Sequence, residues 1–333
     1  MHNNINHLKV FIIVFLAFHL SMKCHAQDPV FSQFYTNLLY LNPAYAGEDE
    51  YAHVFLGYRN QWPGFNNAYV NYYGSYDQYI HALHGGVGIG IMNERMGDGI
   101  VNRIGVDAMY AYHLEITRDF TVNAALQVSF NHKALNPGKL VFPDMIDPDV
   151  GIEGGTTEIL FADTRNYFDF STGIVTGYKN IYGGLAMHHL NRPPQSFSPA
   201  KTNRLPLKYS LHGGINIPLQ MKYVGKLPFI LSPNIIFQSQ EGHKQLNYGA
   251  YLSKEPLYFG VWLRNDLSFS MSSVIFSVGF HASNYRFGYS YDYNLKKSAT
   301  NFLNSGSHEV TFLINFQYNE KRNKMRAIKC PKL

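Results

Sequence analysis

From about residue 51 to residue 318, apolar and polar positions alternate with a period of two. Tyr285, Phe287, Tyr289, Tyr291 and Tyr293 fall on one face, and Arg286, Gly288, Ser290, Asp292 and Asn294 on the other. The same division recurs in Phe120, Val122, Ala124, Leu126, Val128 and Phe130 against Asn123, Ala125, Gln127, Ser129 and Asn131. Successive side chains of a strand point to opposite faces, so each stretch predicts a strand with one apolar and one wet side. Helical periodicity is nowhere comparable. Fourteen candidate strands follow, near 51–60, 67–79, 85–93, 103–115, 119–132, 166–178, 181–191, 206–217, 227–239, 245–254, 257–265, 272–282, 284–294 and 307–318.

An even number of antiparallel strands closes a barrel whose first strand begins and last strand ends on the same side. The connections after even-numbered strands are short, as at Lys179-Asn180 and Lys254-Glu255-Pro256. Several after odd-numbered strands are long, near residues 133–165, 192–205 and 295–306. Short periplasmic turns alternating with long outer loops are the habit of outer-membrane barrels. The expected fold is therefore all-β, a transmembrane antiparallel β-barrel of about fourteen strands, with both termini periplasmic. The competing reading is a secreted soluble β-sandwich or propeller with its apolar face turned inward.

Composition sharpens this picture. Only 15% of the 333 residues are charged and 46% are hydrophobic, which excludes disordered and coiled-coil classes. Tyr (25) and Phe (24) dominate the aromatics, and a half-polar aromatic used this often suits a surface between water and an apolar phase. Residues 1–26 read as a secretory signal, with an apolar run from Val10 to Leu20 and cleavage expected after Ala26. That run is too short for a spanning helix, and Met22-Lys23 argue against a lipoprotein signal at Cys24. Loss of the leader leaves one cysteine, Cys330, so no intramolecular disulfide can form.

The formal charge of +5 could suggest nucleic acid, but its placement reverses that inference. Lys9 and Lys23 belong to the leader, and residues 319–333 carry six Lys or Arg against Glu320, leaving residues 27–318 at −2. No nucleic-acid partner is expected. The basic tail reads either as a solvated end or as a contact for a periplasmic partner or anionic headgroups.

Chemistry-bearing constellations are sparse. His81 and His84, or His188-His189, do not make a zinc pattern, and Asp144, Asp147 and Asp149 read as a solvated turn before a calcium loop. No G-x-S-x-G motif occurs, and Gly88-x-Gly90 is followed by no helix, so no enzymatic site and no cofactor is expected. Strand phase sends His53, Arg59, Asp77, Asp107, His113, Arg264, Arg286 and Asp292 into the lumen. There they either pair and close it or line a water path.

The stretch QDPVFSQFYTNLLYLNPAYAG (residues 27–47), the following Tyr58-Arg59-Asn60-Gln61-Trp62, and the closing Ile328-Lys329-Cys330-Pro331-Lys332-Leu333 together resemble the PorP/SprF family of type IX secretion system outer-membrane proteins. Asp147-Pro148, the stretch at residues 189–193, Tyr291-Asp292 and Ser307-His308-Glu309 are further echoes. The resemblance covers the whole mature length, and Leu38 departs from the Pro or Gln of many members.

The family implies a non-enzymatic barrel in outer-membrane lipid that helps export or anchor large secreted adhesins, including those of gliding motility. It also implies links to secretion components and to a periplasmic peptidoglycan-binding lipoprotein. The motif residues Asp28, Pro29, Phe31, Ser32, Gln33, Asn42, Pro43, Ala44, Gly47, Tyr58, Arg59, Gln61, Trp62, Asp292, Glu309, Cys330 and Pro331 become structural or partner-contact candidates. Residues 27–50 are too polar and turn-rich to face lipid, and are expected inside the lumen or over the periplasmic mouth, with Arg59 able to tie them. The barrel proper would span 51–318 and the basic tail 319–333. The alternative function is a passive porin or hydrophobic-compound channel.

Overall fold

The computed structural model describes residues 28–49, 51–64, 69–147, 149–152, 155–156, 162–197, 203–219, 228–267, 271–282, 284–295, 306–317 and 328. The leader, Gln27, Cys330, Pro331 and the tail other than Ile328 lie outside the described residues.

Fourteen antiparallel strands close into one barrel. They are β1 Tyr51–Gln61, β2 Tyr69–Ile80, β3 Gly85–Met96, β4 Val101–Glu115, β5 Phe120–Leu135, β6 Thr164–Tyr178 and β7 Ile181–His188. β8 Lys208–Ile215 continues as Ile217–Leu219, followed by β9 Phe229–Gln240, β10 His243–Lys254, β11 Leu257–Asp266, β12 Met271–Ala282, β13 Tyr285–Asn294 and β14 Ser307–Gln317. Every strand pairs with its sequence neighbours, and β14 closes on β1 in unbroken register from Tyr51↔Gln317 to Gln61↔Ser307. Closure leaves no sheet edge, as a strand structure in hydrocarbon requires.

The alternation read from the sequence becomes an outside and an inside. Leu126, Phe168, Phe259, Phe276 and Phe287 stand on the outer wall between 47% and 67% exposed, whereas their neighbours Ser129, Asp169, Ser277 and Ser290 are buried in the lumen. So much contiguous apolar surface is untenable in water and natural in lipid, which removes the soluble sandwich. No helix among the described residues is long and apolar enough to cross a membrane.

Two ends are distinguished by their connections. The terminal end carries the start of β1, the end of β14 and the tight β4–β5, β6–β7 and β10–β11 turns. The loop end carries the β5–β6, β7–β8 and β13–β14 connections. Some strands differ from the sequence pattern. β7 stops at His188 rather than 191, because His189 (φ 64°) and Arg192 (φ 46°) turn out of the ladder. β8 breaks at Asn216, whose N–H donates to Asn180 O at 2.9 Å. The β5–β6 connection contains a small hairpin, Ile146–Asp147 with Gly151–Ile152, that periodicity is too short to reveal.

Candidate functional site

Residues 28–49 fold inside the barrel. They contain one helical turn, Leu38–Leu41, and a 3-10 turn, Pro43–Tyr45, and most of their side chains are buried against the inner wall. Turns within the segment satisfy the N–H groups of Thr36, Asn37, Leu41, Asn42, Tyr45, Ala46 and Glu48, and the buried polar groups left over must be met by the wall. That requirement defines the site.

At the loop end, Ser32 is the centre of a charged cluster. Its N–H donates to Glu309 Oε2 (2.6 Å) and its hydroxyl donates to Asp292 Oδ2 (2.6 Å). The same hydroxyl accepts from Arg59 Nη1 (2.8 Å) and Arg264 Nη2 (2.9 Å). Arg59, 1% exposed, also binds Asp292 (2.8 Å) and Glu309 (3.1 Å), and Arg264 reaches Asp292 at 2.9 Å. Two guanidinium groups and two carboxylates thus balance, which is the condition for burying charge without a large desolvation penalty. Gln33 extends the contact, donating from its N–H to Glu309 Oε1 (3.1 Å) and accepting from the Thr311 hydroxyl (2.8 Å). Because Arg59 and Glu309 are register partners on β1 and β14, the cluster straddles the seam where the barrel closes.

Asp28 forms a second latch at the same end. Its carboxylate meets His189 Nε2 (2.7 Å) and Lys208 Nζ (3.5 Å), while its N–H donates to Gln240 Oε1 (3.1 Å). The other ring nitrogen of His189 meets Asp169 Oδ2 at 2.7 Å. Burial by itself disfavours both charges, but the partners prevail. His189 and Lys208 hold the Asp28 carboxyl well below its usual range, and Asp28 and Asp169 push His189 up to about 9.

Aromatic packing follows these latches inward. Phe31 meets Tyr40 edge-on at 4.8 Å between centroids, and the Tyr40 hydroxyl donates to Pro29 O at 2.6 Å. Phe34 and Tyr35 pack on Trp262 of β11, which is fully buried.

Toward the terminal end the contact changes character. Asn42 donates to Ile174 O (3.1 Å) and Leu185 O (3.2 Å), and its Oδ1 accepts from Ala44 N (3.0 Å) to start the 3-10 turn at Pro43. A Cβ on Gly173 would stand 1.9 Å from Asn42 Oδ1, so this amide seats only over glycine. Gly47, at φ +62°, donates to Asp77 Oδ2 (2.8 Å), and a Cβ on the facing Gly86 would lie 1.9 Å from Ala46 O. His113 Nε2 contacts Ala46 O at 2.9 Å, and His53 lies between Asp49 (3.1 Å) and Asp77 (3.2 Å). From the tail, Ile328 is buried beside Gly177.

The structure thus brings Asp28, Pro29, Phe31, Ser32, Gln33, Asn42, Pro43, Ala44 and Gly47 into the lumen and joins Ser32 and Gln33 to Arg59, Asp292 and Glu309. Tyr58 lies on the outer wall, 5.2 Å from the Tyr72 ring. Gln61 ends β1 and Trp62 turns out of it with φ 58°, its N–H donating to Gly306 O at 3.3 Å. Neither contacts the cluster. Of the other loop candidates, Asp147 caps its own turn by accepting from the N–H groups of Asp149 and Val150, and Asp144 accepts from the Thr156 hydroxyl. Among the described residues no three His, Cys, Asp or Glu gather as a metal site. Asp169, Lys208, Gln240 and Trp262 were not legible as partners of the segment, since nothing local in the sequence joins them to residues 28–35.

The family model for the type IX secretion system membrane protein PorP/SprF matches residues 23–314. The chain belongs to the PorP/SprF family. No curated protein matches it. Among solved structures it is similar to a TodX monoaromatic hydrocarbon channel variant, with 10% identity, 84% of this chain and 94% of that chain covered, and a TM-score of 0.49. It is also similar to the Ralstonia pickettii toluene transporter TbuX (10% identity, 83% and 92% covered, TM-score 0.43) and a Pseudomonas aeruginosa FadL homologue (11%, 81% and 91%, 0.41). Likeness at this level carries no argument about function. This chain is an outer-membrane β-barrel of a family of type IX secretion membrane proteins.

Proposed function

We propose that this PorP/SprF-family barrel is a sealed accessory subunit of type IX secretion that helps export or anchor large secreted surface proteins, including gliding adhesins. On its terminal face it links to periplasmic machinery, including a peptidoglycan-binding lipoprotein. The observation that carries the reading is the occupied lumen: a PorP/SprF-family chain spends its own residues 28–49 on filling the bore with balanced charges and close packing. A porin needs the opposite, a bore left to water and solute. The barrel is therefore read as a scaffold whose exposed ends do the work, with the loops turned outward and the tail turned to the periplasm. Residues 319–333 then offer their net +5 to an acidic partner beside the mouth where Ile328 is seated.

Purification from outer membrane in mild detergent is expected to bring down secretion components or a large surface protein, and the pure barrel is expected to be silent in planar bilayers. Steady conductance from a partner-free barrel would instead establish the channel alternative. Truncation after Tyr318 is expected to leave the barrel inserted and weaken the periplasmic association.

A further inference from the structure

The two ends of the lumen segment lie at opposite faces of the barrel. Asp28 is held by the last residue of β9 (Gln240), the first residue of β8 (Lys208) and the residue just beyond β7 (His189), all at the loop end. Asp49 meets His53 at the terminal end, two residues before β1 begins. Between them Ser32 is pinned to the loop-end halves of β1, β13 and β14, and Gly47 to the terminal-end half of β2. The segment is thus a thread running the height of the lumen antiparallel to β1.

We infer that the chain ahead of Asp28 leaves through the loop-end mouth, so that the N-terminus opens on the loop face and the C-terminal tail on the opposite face. This departs from the expectation that both termini share the periplasmic side, which strand parity fixes only for the start of β1 and the end of β14. The physical argument is one of distance and solvation. At Asp28 the wall formed by β7, β8 and β9 has reached its loop-end edge, since His189, Lys208 and Gln240 stand where those strands end or begin. The route back crosses a bore already filled by Leu39, Leu41, Ala44, Tyr45 and Ala46, all at most 6% exposed. A second strand forced through that space would bury backbone N–H and C=O groups without partners. A partner on the loop side would then meet the free end of a thread whose other end is tied at the terminal mouth by Asp49 and His53.

Cysteine accessibility tests this directly, because Cys330 is the one native cysteine of the mature chain and lies at the other end. Three full-length proteins in intact cells would be treated with a membrane-impermeant maleimide, before and after outer-membrane permeabilisation. They are the unmodified protein, Gln27→Cys with Cys330→Ser, and Gly138→Cys with Cys330→Ser as the loop-face standard. Heat-dependent gel mobility checks that each is folded. The expected result is that position 27 labels in the same condition as position 138, and Cys330 in the opposite one. Labelling of position 27 together with Cys330 overturns the inference, and so does labelling in neither condition, since the end would then be sealed inside. If Gln27→Cys does not fold, a short protease-cleavable tag placed between Gln27 and Asp28 gives the same two-sided readout.

Discussion

Residues 28–36 meet the barrel wall mainly through ionised groups and aromatic rings, whereas in residues 42–47 the tightest approaches to the wall are made by Asn42 and the backbone of Ala46 set against glycine. In the first stretch Asp28 and Ser32 each engage two or more charged wall residues across gaps of 2.6 to 3.5 Å. In the second, Ala46 and Asn42 come so near to Gly86 and Gly173 that not even a methyl group fits between. The difference is in how each contact can fail. A charged latch fails when its balance is upset and recovers when balance is restored. A close-packed floor fails when volume is added, and no change of charge repairs it.

The largest effect is expected from Arg59→Leu, which leaves Asp292 and Glu309 facing only Arg264. Loss of one partner of a buried ion pair costs roughly 3–5 kcal/mol, read as a fall in the urea midpoint for loss of the heat-shifted gel form in lipid vesicles. The double change Arg59→Leu, Glu309→Gln, which leaves Arg264 paired with Asp292, is expected to recover part of that loss. A double variant no better than the single one would break the account of a charge-balanced latch.

Next comes Gly86→Val. Overpacking a tight site costs about 1–3 kcal/mol and occasionally more, and here the obstacle is the backbone carbonyl of Ala46, which cannot rotate away. The expected outcome is an inserted barrel with a displaced segment and measurable bilayer conductance. Wild-type behaviour at this position would erase the distinction between the two halves.

Ser32→Ala removes one hydroxyl shared by Asp292, Arg59 and Arg264. About 1–2 kcal/mol is expected by the same urea titration, with no conductance, since the ion pairs around it persist.

The smallest effect concerns pH. His189 is raised from 6.5 to about 9, so its share of the Asp28 latch is complete below pH 6.5 and is lost as pH rises through about 9. Asp28 is lowered from 3.8, so its share is present above that value and is lost only as pH falls through the depressed folded value. The latch is therefore expected to be strongest between about pH 4 and 6.5 and to weaken toward pH 9. A His189→Gln variant should lose that alkaline slope in the urea midpoint, while Gly86→Val should keep it.

Strand existence, phase and number were legible in the sequence because a strand's period of two writes its environment directly into neighbouring residues. Tyr285 and Arg286 announce opposite faces before any coordinates are known, and Arg59, Asp77, Arg264 and Asp292 were correctly sent inward. The N-terminal block was recognisable as a motif, but its partners were not. Asp28 and His189 are 161 positions apart and Ser32 and Glu309 are 277 apart, with no periodic signal connecting them. The early end of β7 was likewise invisible, since His189 leaves the ladder at a left-handed φ and pairs with two carboxylates that other parts of the fold supply.

What the sequence determined by itself is local: alternation and turn length, which together point to a barrel in an outer membrane. What the tertiary structure decided is which inward-facing groups meet, which glycines leave room for the thread, and at which end the thread begins. Those depend on closing fourteen strands into a ring, and only the closed ring brings residues from opposite ends of the chain within hydrogen-bond reach.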